Sequence, residues 1–558
     1  PQGYFRQRLD PSGWQFAEYN KLNFADVPAI PALDPEGREV VVEVELPGRT
    51  IYAKVYKFQV GRVSLLLMDT DIHPNSPQDR ELSARLYGGD EEMRISQELV
   101  LGIGGVRALR RLGYNPTVWH MNEGHSAFLV LELCRELVAQ GLSFDEAMAR
   151  VKAQCVFTTH TPVPAGNDAF PLPLIEKFFW SYWPQLGLTR DEFMGIALHE
   201  QQWGPTFAMT ALALRLSDYH NGVSKLHGHV ARGMWQWMYP GKSQDEVPIG
   251  SITNGVHAPP WLAPELRELY DAYLGKNWEE NLDDPKIWQK IYQIPDEVLW
   301  TTRQRLKAQL IAFARARLTA HYRHQNMQPP VWPVLEEGIL TIGFARRFAT
   351  YKRATLIFKD VERLKYLLNR PGKPIQIIFA GKAHPKDDPG KHFIQHVYQL
   401  SRQPGLAGRI VFLEEYDMAV GRMMTQGVDV WLNNPRRPYE ASGTSGMKAS
   451  LNGAPNCSIL DGWWPEAYNG KNGWAIGEER EYSNQDEQDW NDAQSLYHLL
   501  EHEVAPRFYD GRDASGVPTA WVQICKEAIA TVAPAFSMRR MLTEYMRDLY
   551  MPAAGVKR

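Results

Sequence analysis

Five short apolar runs lie between residues 338 and 462: GILTIGFARR, PIQIIFAGK, GRIVFLEE, VDVWLNN and NCSILDG, separated by stretches with helical patterning. Each is apolar throughout its centre instead of alternating, as in strands covered on both faces. Strands that return through helices lie parallel in one sheet. The C-terminal half is therefore predicted to be a Rossmann-like α/β domain. The same rhythm occurs earlier, where PTVWHMN, a helix over about 126–140 and QCVFTTH read as β-α-β.

The remaining segments are read around these two series. Before Ile72, the runs VVVEVELPG, TIYAKVYKF and VSLLLMDTD predict antiparallel or mixed strands. Residues 79–112 read as mostly helical, with breaks at Gly88-Gly89 and at Gly102, Gly104 and Gly105. LGIGGVRAL follows a helix-like run, so close helix packing explains its glycines better than a dinucleotide loop. Residues 172–238 read as mostly helical. GSITNGVHAPPWL reads as a strand entering Asn254-Gly255 and a proline-rich turn, a domain junction.

Composition narrows the function classes. The 558 residues exceed any single small binding module, and 61 Lys+Arg against 65 Asp+Glu provide no basic nucleic-acid surface. Cys134, Cys155, Cys457 and Cys525 form no Cys-x-x-Cys pair, so neither a zinc site nor a disulfide framework is expected, and a reducing cytoplasm is the expected location. His227 and His229 fall on different helix faces, and no metal is expected. No apolar run reaches the ~18–20 residues of a membrane span, and PQGYFRQRLD has no signal-peptide core, so no membrane partner is expected. The 18 Trp and 24 Tyr suit sugar faces and large cores equally.

Open α/β sheets bind ligands beyond the carboxyl ends of their strands. Polar groups stand at those predicted ends: Asn122-Glu123-Gly124-His125, Thr158-Thr159-His160, and the cluster Arg346, Arg347, Lys352 and Arg353. The arginines and lysines could converge on an anion, or form an exposed charged face. In NNPRRPYEASGTSGMKASLNG the chain turns through Gly443, Thr444, Ser445 and Gly446 into a helix whose first N–H groups could line a phosphate. Lys448 lies just beyond, able to hold that phosphate or, with a depressed pKa, to form a Schiff base. The spacing is not that of a Walker A loop.

EASGTSGMKASLNG, with FARRFATYKRA, SITNGVHAPPWL, FTTHTPVPAGNDAFP and HMNEGHSA, closely resembles the α-glucan phosphorylases, in particular the shorter bacterial and archaeal type. The resemblance runs from GYFRQRLDPSGW to the final helix. It implies two Rossmann-like domains facing a central cleft, the GT-B glycosyltransferase type. Residues 1–260 would form a glucan-binding domain, 261–535 a pyridoxal-phosphate domain, and 536–558 a helix packing back on the first. The implied reaction is phosphorolysis of terminal α-1,4 bonds of glycogen, starch or maltodextrin to α-D-glucose 1-phosphate with retention, with the phosphate of pyridoxal 5′-phosphate relaying the proton.

The resemblance also implies roles. Lys448 matches the Schiff-base lysine, Arg347 and Lys352 the holders of substrate phosphate, and Thr444, Ser445 and Gly446 the cofactor-phosphate loop. Glu440, Asn254 and His160 match contacts to the sugar, and Tyr351 and Tyr416 line the cofactor and sugar pocket. Gly443, Glu123 and His125 complete the substrate-binding set, with His160 counted among the catalytic residues. A homodimer is implied, without control by a phosphorylatable tail. The chain departs from the family at three places. A glycine-rich loop expected before GYFRQ does not occur, so the N-terminal domain reads as incomplete; Glu123 replaces an Asp of animal members; and Asp417 follows Tyr416 where those have Arg. Nucleotide-sugar glucan synthases share the architecture but need no cofactor lysine. A homologue that binds cofactor and glucan without catalysis is the other alternative.

Overall fold

The computed structural model describes residues 4–20, 26–86, 89–163, 166–201, 204–328 and 334–556. Gly88, read with Gly89 as a helix break, lies outside them. All five apolar runs of residues 338–462 form strands of one wholly parallel sheet, joined by a sixth, Gly473–Ile476. Across the sheet the order is Ile410–Leu413, Ile375–Ala380, Leu340–Ala345, Val430–Asn433, Asn456–Ile459 and Gly473–Ile476. The first strand in sequence thus sits centrally beside the fourth, and the helical connections leave these two in opposite directions. Such a reversal opens a crevice at the strand carboxyl ends. The arrangement holds because the central strands are buried on both faces, every residue of Leu340–Ala345 and Ile375–Ala380 included.

A second parallel sheet runs Gly250–Ser251, Tyr219–Gly222, Cys155–Thr158, Trp119–Asn122. Tyr219–Gly222 corrects the reading of residues 172–238 as mostly helical. YHNG has no apolar run, but His220 is fixed through its ring to the carbonyls of Leu214, Ser217 and Pro248, which secures the strand from outside itself. Leu198–Gln201, Gly204–Ala208 and Ala169–Pro171 form a further small antiparallel sheet in this region. The opening strands are antiparallel, with Arg49–Val60 paired to Val41–Leu46 and Val63–Asp69.

Glycines 102, 104 and 105 do not break the helix as expected. The chain passes from Glu91–Leu99 through one π turn, Val100–Gly104, into Gly105–Arg111. Their role is close packing, since a Cβ on Gly102 would lie 2.9 Å from both the Leu129 nitrogen and the Phe128 Cβ. The two parallel sheets have separate apolar cores. They are tied where Val256 donates its N–H to the Phe536 carbonyl at 2.8 Å and Met538 donates to the Val256 carbonyl at 2.9 Å. From there the Met538–Tyr545 helix reaches the second parallel sheet, where Asn221 donates to the Tyr545 hydroxyl at 2.9 Å and Tyr550 contacts His120 at 2.6 Å. No helix of the described residues is long and apolar enough to cross a membrane.

The 29-residue helix Asp296–His324 underpins the larger sheet. Its Lys307 is fully buried and bonds to Asp429 at 2.9 Å and to the Ile339 carbonyl at 3.2 Å; the same Asp429 oxygen accepts from the Thr341 N–H. Removing one partner of such a pair strands the other charge in a low-dielectric interior. Lys307→Ala is expected to lower unfolding free energy by about 3–5 kcal/mol, read as an earlier urea midpoint with the slope retained. An unchanged midpoint would show that Asp429 takes up a proton or water at little cost.

Candidate active site

The crevice between the central strands receives the polar groups of two loops. Leaving Leu340–Ala345, Arg346 is buried and directs its guanidinium to the side chains of Asn433 and Glu440. Lys352, at the end of a short 3₁₀ turn, places Nζ 2.9 and 3.1 Å from the two Glu440 carboxylate oxygens. Glu440 arrives from the other side, seven residues after Val430–Asn433 ends. A third strand end fixes it: Asp461 accepts from the Glu440 N–H at 2.9 Å and from the Gly462 N–H at 2.8 Å. Gly462 has φ +59, and a Cβ there would lie 2.2 Å from the Ser442 carbonyl, so this approach requires glycine.

Burial and charge set the protonation states. Burial raises the Glu440 pKa, but Arg346 and Lys352 outweigh it and hold the carboxyl down to about 2. Lys352 is pushed down to about 8 by burial and by Arg346, against the pull of Glu440. Asp461 is pushed up to about 7 by burial, with the Glu440 charge adding. Glu440 is therefore ionised at neutral pH and offers only acceptors.

Both loops are clamped from behind. Arg353, in left-handed backbone with φ 49, bonds to Asp489 at 3.0 Å and Asp492 at 2.8 Å, and donates to the Asn434 and Pro435 carbonyls. Arg436 bonds to Asp489 at 2.8 Å. The acidic face of one helix, Gln485–Leu499, thus orders the segments that carry Lys352 and Glu440.

Helix Thr444–Leu451 begins beside Glu440. Gly443 is its N-cap with φ +85, and no side chain caps the helix, so its first N–H groups have neither an intrahelical partner nor a side-chain cap. A Cβ on Gly446 would meet Asn456 Oδ1 at 2.2 Å and the Trp463 ring at 3.0 Å. Lys448 follows one turn after Thr444, on the same face. Its Nζ lies 3.7 Å from the centroid of Trp261, and burial pushes its pKa down to about 8. Among the described residues it forms no salt bridge. Tyr416 stands in the same wall, since a Cβ on Gly421 would lie 3.2 Å from its hydroxyl and 3.8 Å from the Trp261 ring. Lys352 lies 4.8 Å from the ring of Tyr351. Ser445 faces away from the helix end, its hydroxyl accepting from Trp431 at 3.2 Å.

The other predicted residues gather at the end of the second parallel sheet. Glu123, with φ 65, accepts from the His160 N–H at 2.7 Å and the Thr161 hydroxyl at 2.6 Å, and His160 reaches Asn122 at 3.2 Å. Glu123 thereby holds the His160 loop. Asn254 is placed by its backbone, which donates to the Val223 carbonyl at 3.1 Å. His125 lies 2.9 Å from Asp168, and Arg94 Nη2 lies 2.7 Å from both. Asp168 and Glu98 raise the His125 pKa to about 9, and burial lifts Glu98 to about 8. Glu98, His125 and Asp168 could together hold a metal ion, and the Arg94 guanidinium already contacts all three. The two groups of site residues meet through neighbours, Ser224 donating to the Ala441 carbonyl at 2.7 Å next to Glu440.

Sequence reasoning placed Lys352, Glu440 and the Gly443–Lys448 turn at one locus, as found. Arg347, expected beside Lys352, is exposed and close enough to lower the Lys352 pKa by its charge, and Arg346 is the guanidinium that bonds to Glu440. Asp461 was missed although it follows an apolar run, the signal that singled out the other strand ends.

The fold and site define a parallel-sheet α/β protein in which a buried carboxylate is gripped by two cations, next to an uncapped helix start and a lysine over an indole ring. A model of the carbohydrate phosphorylase family matches residues 107–480. The chain is 45% identical over 551 residues to maltodextrin phosphorylase of Thermococcus litoralis, covering 99% of this chain and 65% of that one. It is 43% identical to glycogen phosphorylase of Mycobacterium tuberculosis, covering 99% and 65% of the two chains. Glycogen phosphorylase of Aquifex aeolicus is 41% identical, with 99% and 79% covered. The chain belongs to the carbohydrate phosphorylase family, and it spans 65% of the length of the first two of these relatives.

Proposed function

We propose that the chain carries out phosphorolysis of terminal α-1,4 bonds in glycogen, starch or maltodextrin, giving α-D-glucose 1-phosphate with retention, and that it uses pyridoxal 5′-phosphate. The observation that carries this is Lys448, a desolvated amine that forms no salt bridge among the described residues, one turn from an uncapped helix start. Those residues fit the cofactor: the N–H groups of Thr444, Ser445 and Gly446 would hold its phosphate, and Gly446 lets that helix start pack closely on Asn456 and Trp463. When bound, the cofactor supplies a phosphate able to exchange a proton with substrate phosphate. The Trp261 ring covers one side of the Lys448 amine.

Lys352 and Arg347 would hold substrate phosphate beside the cofactor's; two such anions repel strongly in a partly buried site unless cations surround them. Glu440 would accept hydroxyls of the glucosyl unit, with His160 and Asn254 touching the same sugar from the end of the second parallel sheet, and Gly443, Tyr351, Glu123 and His125 shaping its pocket. Because Glu440 is held ionised, it does not protonate the leaving oxygen. In this reading the proton comes from phosphate, and no glycosidase-type carboxylate pair is required. In this reading residues 1–260 and 261–535 are two Rossmann-like domains of GT-B type facing across the crevice, strapped by residues 536–558. The protein would be cytoplasmic, and homodimeric assembly is proposed on the resemblance alone.

The test is to supply the chain and cofactor with maltodextrin and inorganic phosphate and to follow products by NMR. Appearance of α-glucose 1-phosphate is expected. Cofactor and glucan binding without that product would replace this reading with a binding role. Gly446→Ala is expected to weaken cofactor binding by at least about tenfold, since a methyl 2.2 Å from Asn456 must displace the helix start. Fluorescence titration of the cofactor measures it.

A further inference from the structure

Glu440 stands between two ligands of the proposed reaction. Its carboxylate, assigned to the sugar, takes two hydrogen bonds from Lys352, the cation assigned to substrate phosphate. A phosphate drawn to Lys352 meets that carboxylate as a like charge and as a competitor for the same N–H donors. The carboxylate can yield without the loop moving. Its backbone N–H is held by Asp461, and Arg346, which bonds to the carboxylate with one nitrogen, bonds to Asn433 with another, so neither anchor depends on Lys352. Glycines flank the side chain on two sides, for a Cβ on Gly462 or Gly443 would come within 3.1 or 3.5 Å of Glu440 Cγ. Once turned from Lys352, the buried carboxylate needs new donors, and sugar hydroxyls are such donors.

We infer that Glu440 is a latch shared by the phosphate and sugar subsites, so that each ligand strengthens binding of the other. This rests on the proposed phosphorylase function. A sugar that draws Glu440 away frees Lys352 for phosphate, and a phosphate that takes Lys352 frees Glu440 for the sugar. Linkage makes the factor equal in both directions.

The experiment is isothermal calorimetry on the full chain carrying pyridoxal phosphate, titrated with inorganic phosphate in the absence and presence of saturating glucose, and with glucose in the absence and presence of phosphate. Phosphate is expected to bind about tenfold more tightly with glucose, and glucose by the same factor with phosphate. In Glu440→Gln the phosphate affinity without glucose rises and the factor falls towards one. In Lys352→Met glucose binds more tightly in the absence of phosphate, an effect that a purely structural lysine would not produce. Equal phosphate affinities with and without glucose in the unaltered chain overturn the latch, as does an undiminished factor in Glu440→Gln. If neither ligand binds, the phosphorylase reading itself fails.

Discussion

Glu440→Ala is expected to lower unfolding free energy by about 3–5 kcal/mol, because it leaves Arg346 and Lys352 buried side by side without their shared counter-charge. Lys352 offers partial relief by shedding its proton, which is easier for an amine already pushed down to about 8. The variant's loss should therefore be larger at pH 6, where the parent's Lys352 is charged and paired, than at pH 9, where the parent's Lys352 has itself largely shed its proton. Glu440→Gln keeps acceptor and shape while removing the charge and should fall between. Residual phosphorolysis in the alanine variant should drop by about 10²-fold, the scale of losing a hydrogen bond to a charged group in the site. Urea unfolding at both pH values measures the first effect. A stability equal to the parent at both would mean that water, not the protein, supplies the neighbours of these cations.

The second large effect is expected at Lys448. Lys448→Ala should abolish covalent attachment of the cofactor and lower phosphorolysis by at least about 10²-fold, as when a reacting group loses its positioning. Stability should change little, because Lys448 makes no salt bridge among the described residues and its contact is with the face of Trp261. Lys448→Arg separates charge from covalent chemistry. A guanidinium keeps the cation over the indole but forms no imine, so activity should be lost as fully as with alanine. Activity retained in the arginine variant would mean that position 448 contributes charge alone.

The parallel sheet of residues 340–476 was largely legible because its central strands are apolar on both faces, a pattern that needs no tertiary knowledge to read. The sixth strand, Gly473–Ile476, is GWAI between turn-forming residues, and its β structure comes from pairing with Asn456–Ile459. Tyr219–Gly222 was hidden for the same reason, its conformation being secured by the bonds of His220 to three carbonyls. In the site, Lys448 and the Gly443–Gly446 turn were visible as chemistry at a strand end. The roles of Glu440 and His160 came from family resemblance, not from spacing. Arg346 and Arg347 are adjacent cations whose difference is burial, which the sequence does not carry. The network of Arg94, Glu98, His125 and Asp168 unites residues up to 74 apart, beyond any local pattern.

The most direct test of the account is borohydride reduction of the chain with pyridoxal phosphate, followed by peptide mapping by mass. The account predicts a pyridoxyl-phosphate adduct on Lys448, formed readily near neutral pH because burial keeps its amine near a pKa of about 8. An unmodified Lys448, or an adduct spread over exposed lysines with none at 448, would contradict it.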